Sequence, residues 1–352
     1  MLAPNDPQPR EAIFPHNGAL RRLVALLRGL RNGAKAFVRL LGRRKERREI
    51  TTVLITGASV GIGLELAKLL LPSSHRLVLT ARAASLERFA AEGIEQSDRV
   101  MILPLDVTLD SERKAAIAAV AQRWGGVDVL VNNAGLSYRA VSEHVGAADR
   151  LAQLDANFIG PMELIKLTLP HMREQRYGRI INVSSVGGMT AMPTMSIYSA
   201  SKFALEGASE SLWYEMRPFG VRVSLVRPGF INSDGFRKTR FTEQAQHALD
   251  DPSDPYHAHY TNMDELIAGL MTLTFYKPVD VAETILEVIE AKNPPLRVAG
   301  TLDAQLFDLL RRVLPAGLYH RLLYAGLPRI WRWGLNHDAA LSSLPPPDRA
   351  ER

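Results

Sequence analysis

The stretch YSASK, from Tyr198 to Lys202, places a phenol and an ammonium group four residues apart. On a helix these two positions are neighbours on one face, where such groups could take part in proton transfer. The same spacing also suits an ordinary solvated or packed helix face. The pair therefore indicates chemistry only if the surrounding elements bring a cofactor and a substrate beside it.

A second segment with chemical potential is TGASVGIG, from Thr56 to Gly63, which follows a β-branched run and leads into a helical pattern. Glycines allow a sharp turn and a close approach of the backbone to a phosphate. The N-terminus of a helix adds free N–H groups and a partial positive charge. In this position the segment predicts a dinucleotide pyrophosphate site rather than a plain glycine turn.

The end of the second β-branched run, LTAR, bears on the choice of dinucleotide. A site for NAD usually has an Asp or Glu there, whereas an arginine favours the 2′-phosphate of NADP. This chain has Arg82 and no acid, and Ser59 could add a hydroxyl contact. Although Arg82 could be an ordinary exposed arginine, the sequence favours NADP(H) over NAD(H).

The elements that must position these groups form an alternating pattern. Short apolar runs, typical of parallel strands buried on both faces, alternate with longer helical patterns. This order predicts an α/β fold, a Rossmann-type doubly wound parallel sheet in a single domain with helical N- and C-terminal extensions. The runs are TTVLITG, HRLVLTAR, VMILPLDV, VDVLVNNAG, GRIINVSS and VRVSLVRPG.

The predicted domain covers residues 50–297, flanked by extensions at 1–49 and 298–352. After Pro228 the alternation stops, and a long substrate loop is predicted at about 231–277. The C-terminal extension is predicted to be apolar and helical, with a disordered end. No internal repeat or membrane-spanning run is evident in the sequence.

The net charge of +6 is concentrated at the N-terminus. Residues 1–50 hold twelve Lys/Arg and four Asp/Glu, a balance of +8, so the remainder carries −2. The basic composition is therefore no indication of nucleic-acid binding, and none is predicted. Leucines at spacings of three and four among arginines predict a basic amphipathic helix. That helix could lie on an anionic membrane surface, pack on the body or remain solvated.

Cysteine and histidine content limits the remaining chemistry. The chain has no cysteine, which excludes disulfides, thiolate metal sites and a cysteine nucleophile. The nine histidines form no HExxH array, and HAHY at residues 257–260 is expected to face solvent or substrate rather than a metal. No catalytic metal is predicted.

Several motifs, in the right order, resemble those of the classical short-chain dehydrogenase/reductase family. The resemblance covers Thr51 to about Arg297. Within the family, VDVLVNNAGL, SVGGMTAMP and YSASKFALEGASESL are similar to the branch that holds 17β-hydroxysteroid dehydrogenase type 1 and retinol dehydrogenase. The motifs are TGASVGIG, LDV at Asp106, NNAG at 132–135, LDANFIG around Asn157, INVSS ending at Ser185, YSASK, and RPG at 227–229.

The resemblance implies a catalytic tetrad. Tyr198 would be the general acid/base, and Lys202 would favour tyrosinate by its charge while holding the nicotinamide ribose. Ser185 would orient the substrate and stabilise its oxygen, and Asn157 would position a water in a proton relay through Lys202. Ser184 is one residue off the family spacing and is expected to be structural.

The resemblance also implies a set of cofactor-binding positions. Val60 departs from many NADP-preferring members, which have Lys or Arg there, and this weakens the preference for NADP(H) without reversing it. The implied positions are Gly57, Ser59, Gly61, Ile62, Gly63, Arg82, Asp106, Val107, Asn133, Ala134, Gly135, Tyr198, Lys202, Pro228, Gly229, Ile231 and Ser233.

Three functions fit these expectations. The leading hypothesis is an NADP(H)-dependent oxidoreductase that interconverts a secondary alcohol and a ketone or aldehyde on a hydrophobic substrate such as a steroid, retinoid or lipid. A 3-oxoacyl thioester reductase would instead use the basic stretch FRKTR, residues 236–240, to meet an acidic carrier protein. A non-catalytic NADP(H)-binding sensor is the third.

Partners and location follow from the same features. The family usually forms dimers or tetramers, so a homodimer or homotetramer is expected, through helices at about 151–173 and 198–216. The expected location is cytoplasmic. The basic N-terminus and the C-terminal RIWRW stretch add a peripheral position on the inner face of a membrane, although RIWRW equally suits a cap over the substrate pocket or a dimer contact.

Overall fold

A computed structural model describes residues 50–233 and 239–334 of the chain. The predicted amphipathic helix of the N-terminal extension, the disordered C-terminal end and residues 236–238 of FRKTR lie outside the described residues. Within them, no helix is both long and apolar enough to cross a membrane.

A seven-stranded parallel sheet forms the centre of the domain, with strands in the order β3-β2-β1-β4-β6-β7-β9. Its inner strands are buried on both faces, which explains why their sequences are nearly all apolar. The order doubles back at β1, so the predicted doubly wound Rossmann-type sheet is confirmed. The strands are β1 Thr52–Ile55, β2 Arg76–Ala81, β3 Val100–Pro104, β4 Val129–Asn132, β5 Tyr138–Arg139, β6 Gly178–Val183, β7 Val221–Arg227, β8 Arg240–Phe241 and β9 Arg297–Ala299; β5 and β8 form a separate parallel pair.

Helices cover both faces of the sheet and divide the core into two layers. One layer packs α1 and α9 against the sheet, and the other packs α3, α5 and α6. The helices are α1 Gly61–Leu70, α2 Glu87–Ala91, α3 Asp110–Trp124, α4 Ala147–Leu154, α5 Gly160–Glu174, α6 Ser196–Met216, α7 Glu243–Asp250, α8 His257–Leu273, α9 Pro278–Glu290, α10 Leu302–Val313 and α11 Ala316–Ala325.

The structure differs from the sequence-based expectation beyond residue 228. The strand–helix alternation resumes there, with α9 followed by β9, whose residues 297–299 pair with β7. The proposed domain boundary after residue 297 therefore falls inside a strand. A three-residue strand at the sheet edge is too short to leave a clear apolar run in the sequence.

The predicted substrate loop at 231–277 also contains regular structure, since β8, α7 and α8 lie within it. Thr242 caps α7 by accepting a hydrogen bond from the N–H of Ala245. Tyr260 of the HAHY stretch is fully buried, and its hydroxyl accepts a hydrogen bond from the N–H of Val141 at 3.0 Å. The expectation that this stretch faces solvent or substrate is wrong for Tyr260, which belongs to a small core beneath the region.

Candidate active site

The glycine-rich loop joins β1 to α1 and requires glycine at particular positions. Gly61 has a φ of +60°, a backbone conformation that side chains other than glycine rarely adopt. A Cβ at Gly63 would lie 2.5 Å from the carbonyl oxygen of Gly57 and 2.6 Å from Nδ2 of Asn133. The loop is therefore drawn tightly against the end of β4, and the first turn of α1 points into the groove above it.

A groove with a cavity volume of about 1110 Å³ runs along the carboxyl ends of the central strands. In open α/β sheets this edge, where the strand order reverses, is where dinucleotides bind. The exposed Arg82 stands at the end of β2, and Asp106 follows β3, where its Oδ1 accepts hydrogen bonds from Thr108. Predicted cofactor residues on the groove wall are Gly57, Ser59, Gly61, Ile62, Arg82, Asp106, Val107, Asn133, Ala134, Gly135, Ile231 and Ser233.

Asn157 lies in a single π-helical turn, Asp155–Ile159, between α4 and α5. Its side-chain oxygen accepts a hydrogen bond from the N–H of Leu136 at 2.8 Å, and Nδ2 donates to the carbonyl oxygen of Leu136 at 2.9 Å and to Oγ of Ser201 at 3.0 Å. π-Helical turns are rare and are frequently found at functional sites. This turn directs the amide of Asn157 at the segment following β4 and at the base of α6.

Ser185 is the second residue after β6 and caps the N-terminus of a 3₁₀ turn, Val186–Gly188. Its hydroxyl oxygen accepts a hydrogen bond from the N–H of Gly187 at 3.0 Å. The backbone around it is fixed by the N–H of Val186, which donates to the carbonyl oxygen of Pro228 at 2.7 Å. The side chain is thus held at the carboxyl edge of the sheet, facing the N-terminal part of α6.

Tyr198 and Lys202 lie one turn apart near the start of α6, as the helical spacing predicts. Lys202 is buried, and its Nζ donates a hydrogen bond to the carbonyl oxygen of Val183 at 2.9 Å. The same nitrogen lies 6.0 Å from the centre of the Tyr198 ring. Tyr198 is surrounded by protein atoms on most sides. Its ring is partly exposed only because it lines a cavity.

Burial dominates the ionisation of both groups. It raises the pKa of Tyr198, because tyrosinate would lose its hydration, and a hydrogen bond with the Ser185 side chain partly opposes that rise in pKa. Burial also lowers the pKa of Lys202 to about 8, against an opposing effect of the Glu206 carboxylate. At Tyr198 the effect of burial on the pKa is larger than that of the Ser185 hydrogen bond, and the phenol stays protonated near neutral pH.

The four residues meet at one cavity with a volume of about 330 Å³, next to the dinucleotide groove. Asn157, Ser185, Tyr198 and Lys202 all line it. Predicted residues Asn133, Gly135, Ile62, Pro228, Gly229, Ile231 and Ser233 lie on the same wall. Away from these groups the lining is mainly apolar: Leu136, Val186, Met192, Met195, Phe230 and Met271.

The structure therefore brings together all of the predicted site residues. Gly63 alone lines neither the cavity nor the groove, since its part is the close packing of α1 against the loop. No group of three or more His, Cys, Asp or Glu within residues 50–233 and 239–334 is arranged to hold a metal ion.

Sequence reasoning missed the contribution of α10 to this site. Thr301 and Asp303, at the start of α10, accept hydrogen bonds from the N–H groups of Gly229 and Phe230 at 2.9 and 2.8 Å. They fix the segment that carries Gly229 on the wall of the cavity. The TLDA stretch has a helix N-cap pattern that could have indicated a helix start. Nothing in the stretch indicates that its side chains also bind the N–H groups of Gly229 and Phe230.

A buried ion-pair network connects α10 with α6, the helix that carries Tyr198 and Lys202. Glu206, one turn after Lys202, pairs with Arg227 of β7 and with Arg297 of β9, the latter at 3.2 Å. Arg227 also pairs with Asp308 of α10 at 3.2 Å. The network thus joins α6, α10 and two neighbouring strands, β7 and the edge strand β9.

These features define a class of protein, a Rossmann-type α/β enzyme with a dinucleotide groove beside a Ser-Tyr-Lys-Asn site. The family model described as short chain dehydrogenase matches residues 51–244. The chain belongs to the short-chain dehydrogenase family and is an oxidoreductase that acts on CH–OH or carbonyl groups with a nicotinamide dinucleotide.

Three comparisons illustrate the relationship. The chain is 33% identical to 3-ketodihydrosphingosine reductase of Bacteroides thetaiotaomicron over 277 residues, covering 78% of this chain and 97% of that protein. It is 35% identical to human retinol dehydrogenase 8 over 298 residues, covering 81% and 93%. A solved structure of an actinorhodin polyketide ketoreductase variant with NADPH matches with a TM-score of 0.57 and 28% identity, covering 72% and 97%.

Proposed function

We propose that the protein is an NADP(H)-dependent oxidoreductase that interconverts a secondary alcohol and a ketone or aldehyde on a hydrophobic substrate such as a steroid, retinoid or lipid. The observation that carries this proposal is the meeting of Ser185, Tyr198, Lys202 and Asn157 at one small cavity with a largely apolar far wall. The names of two similar proteins, a retinol dehydrogenase and a ketodihydrosphingosine reductase, agree with a lipid-like substrate.

Each polar residue has a proposed task. When bound in the groove, NADPH supplies the hydride that reduces the carbonyl carbon. Tyr198, protonated near neutral pH, gives its proton to the carbonyl oxygen, and the Ser185 hydroxyl stabilises the charge that develops on that oxygen. Lys202 binds the ribose hydroxyls of the cofactor and favours the tyrosinate left after proton transfer.

A proton relay through Asn157 is supported by the space at Gly135. A side-chain carbon placed there would lie 3.2 Å from Oδ1 of Asn157 and 3.9 Å from Nζ of Lys202. Because glycine has no side chain to fill the space beside these two atoms, a water molecule that lies next to Gly135 would have polar partners on two sides. We propose that such a water returns the proton to Tyr198 by way of Lys202.

The preference for NADP(H) over NAD(H) rests on Arg82, which stands exposed at the end of β2 on the groove wall. A hydrogen bond to a charged group contributes about 1.5–3 kcal/mol, or roughly 10- to 100-fold in affinity. We expect Arg82→Gln to weaken NADPH binding by that factor and to leave NADH binding within about twofold, as measured by fluorescence titration. Arg173→Gln, at an exposed arginine outside the groove, is the control. Equal losses for both dinucleotides in Arg82→Gln would contradict the preference.

The pH dependence of reduction should follow the ionisation of Lys202. Because the pKa of Lys202 is lowered to about 8, the group is charged below that pH and neutral above it. We expect kcat/KM for ketone reduction to fall above about pH 8, approaching tenfold per pH unit. Glu206→Gln removes the negative charge that raises this pKa, so the alkaline decline should move to lower pH.

Two variants test that assignment. Glu206→Asp keeps the charge and should restore the wild-type pH profile, while Glu210→Gln removes only an exposed partner of Arg297 and should leave the profile unchanged. Thermal unfolding of each variant establishes that it folds. An alkaline decline at the same pH in wild type and folded Glu206→Gln would contradict the role given to Lys202.

The proposed function as a whole is tested by a turnover screen. Purified protein is mixed with NADPH and with a panel of steroids, retinals, long-chain 3-keto lipids and short 3-oxoacyl thioesters, and absorbance at the cofactor band is followed. Turnover of the hydrophobic carbonyls is expected. Turnover of the short thioesters alone would favour the thioester reductase, and NADPH binding with no turnover would favour the sensor.

We also propose a homodimer or homotetramer. The helices α4 to α6 expose apolar side chains that a second copy would cover. A cytoplasmic protein held on the inner face of a membrane would meet such substrates directly. The exposed residues are Leu151, Ile159, Phe203 and Tyr214.

A further inference from the structure

Helix α10 turns an apolar stripe towards solvent. Leu306, Leu309 and Val313 follow one another at spacings of three and four and are 54%, 56% and 63% exposed. Ala304, one of the residues that anchors the helix to the protein, is fully buried on the inner side. Single exposed leucines scattered over a surface are ordinary, but three apolar side chains on one side of a helix form a continuous patch. Such a patch indicates an interaction surface.

The following helix, α11, and the turn after it continue this exposure. Leu318 and Leu322 are 46% and 54% exposed, and the two aromatic residues Tyr324 and Trp331 are 62% and 72% exposed. Tryptophan and tyrosine are enriched where protein meets the polar–apolar boundary of a bilayer. Residues 302–334, which we call the C-terminal helix pair, therefore expose apolar and aromatic side chains along most of their length.

The charges of the C-terminal helix pair have one predominant sign. It contains five arginines and two aspartates, a balance of +3. Asp303 accepts the N–H of Phe230, and Asp308 pairs with Arg227 of the body at 3.2 Å and with Arg312 of the same helix at 2.6 Å. The arginines are all exposed, so the surface presents cations beside apolar groups: Arg311, Arg312, Arg321, Arg329 and Arg332.

We propose that the C-terminal helix pair docks the protein on a bilayer that contains anionic lipids. Apolar side chains would enter the boundary between headgroups and acyl chains, and the arginines would meet lipid phosphates and carboxylates. A second copy of the chain fits this surface less well, because a symmetric contact would oppose like charges. Like charge also disfavours the N-terminal extension, which has a balance of +8 over residues 1–50, as the partner of this surface.

The docking surface is joined to the substrate cavity by a direct contact. Tyr319 of α11 is buried, and its hydroxyl lies 2.5 Å from Oγ1 of Thr190. Thr190 lines the cavity beyond Ser185. The element that touches the bilayer thus also supports the cavity wall, which suits an enzyme whose substrate partitions into lipid.

Vesicle flotation of the full chain tests the proposal. Vesicles of phosphatidylcholine alone are compared with vesicles that also contain phosphatidylserine. We expect Leu306→Ser/Leu309→Ser/Val313→Ser to lower the partition coefficient at least about tenfold. Arg321→Gln/Arg332→Gln should lower it about 25-fold on the anionic vesicles only, and high salt should reproduce that loss.

The N-terminal extension is present in every variant, so a difference between variants reports on the C-terminal helix pair. Leu109→Ser, at a leucine 47% exposed elsewhere on the fold, is the matched control and should float like wild type. Circular dichroism and light scattering record folding and mass. Unchanged flotation of the folded triple variant would overturn the proposal, as would a loss of oligomer mass in that variant with no change in flotation.

Discussion

Replacing Tyr198 by phenylalanine is expected to lower kcat for carbonyl reduction about 10²- to 10⁴-fold, the range in which general acid catalysis contributes. The substitution removes only the hydroxyl, and the ring that lines the cavity is kept. The pKa of Tyr198 is raised by burial, so the lost group is a protonated phenol that can donate at neutral pH. The affinity for NADPH should stay within about threefold, because Lys202 keeps its bond to the carbonyl of Val183.

The measurement pairs steady-state kinetics with NADPH fluorescence titration on the same preparation. Tyr214→Phe is the matched control, since Tyr214 lies on the same helix and is 63% exposed, away from the cavity. It should retain wild-type activity. A Tyr198→Phe protein that binds NADPH normally and turns over at more than a tenth of the wild-type rate would contradict the general acid assignment.

Ser185→Ala is expected to lower kcat about 10²- to 10³-fold, the usual cost of removing one donor that stabilises a developing oxyanion. The Ser185 hydroxyl also opposes the effect of burial on Tyr198, so its loss should raise the pKa of Tyr198 further. An alanine at this position also removes the cap on the N–H of Gly187. That loss should lower the free energy of unfolding by about 1 kcal/mol.

Two further variants separate the effect of Ser185→Ala on catalysis from its effect on stability. Ser184→Ala removes a buried hydroxyl that has no hydrogen-bond partner, so stability and kcat should change little. Ser185→Thr keeps a hydroxyl and should recover part of the rate. Equal kcat in Ser184→Ala and Ser185→Ala would show that Ser185 has no special role at the substrate oxygen.

Much of the fold was predictable because the apolar runs in the sequence correspond to strands that are buried in the sheet. Five of the six apolar runs are strands largely buried on both faces, and burial on both faces is what removes polar residues from them; the sixth, β3, is a partly buried edge strand. β9 was not predictable in this way, because three half-buried residues at a sheet edge leave no such run. Of the helices within residues 231–277, α7 was missed because it is short and polar, and α8, which has 17 residues, because two Asp-Pro pairs and a polar first turn precede its apolar part.

The site shows the same division. The glycine loop and the Tyr198–Lys202 pair were readable because a strand end and a helix turn fix their spacing locally, whereas Ser185 and Asn157 came from the resemblance to the family. The effect of burial on the pKa of Tyr198 was not readable, because spacing gives the nearness of Lys202 and says nothing of burial. Thr301, Asp303 and Asp308 were missed, since each lies more than 70 residues along the chain from the group that it binds.

The sequence by itself determined the sheet and the dinucleotide loop, because each depends on residue type and short-range spacing, and its resemblance to the short-chain dehydrogenase family supplied the four catalytic candidates. The tertiary structure decided what surrounds them. It set the pKa of Lys202 by burial and by Glu206, and it made α10 a support of the cavity wall at Gly229 and Phe230. Within residues 50–233 and 239–334 it also left the outer faces of α10 and α11 exposed. Burial, pKa and exposure all arise from contacts between segments that are distant in the sequence. An amphipathic pattern predicts that a helix has an apolar face, but it does not say whether that face packs against the rest of the protein.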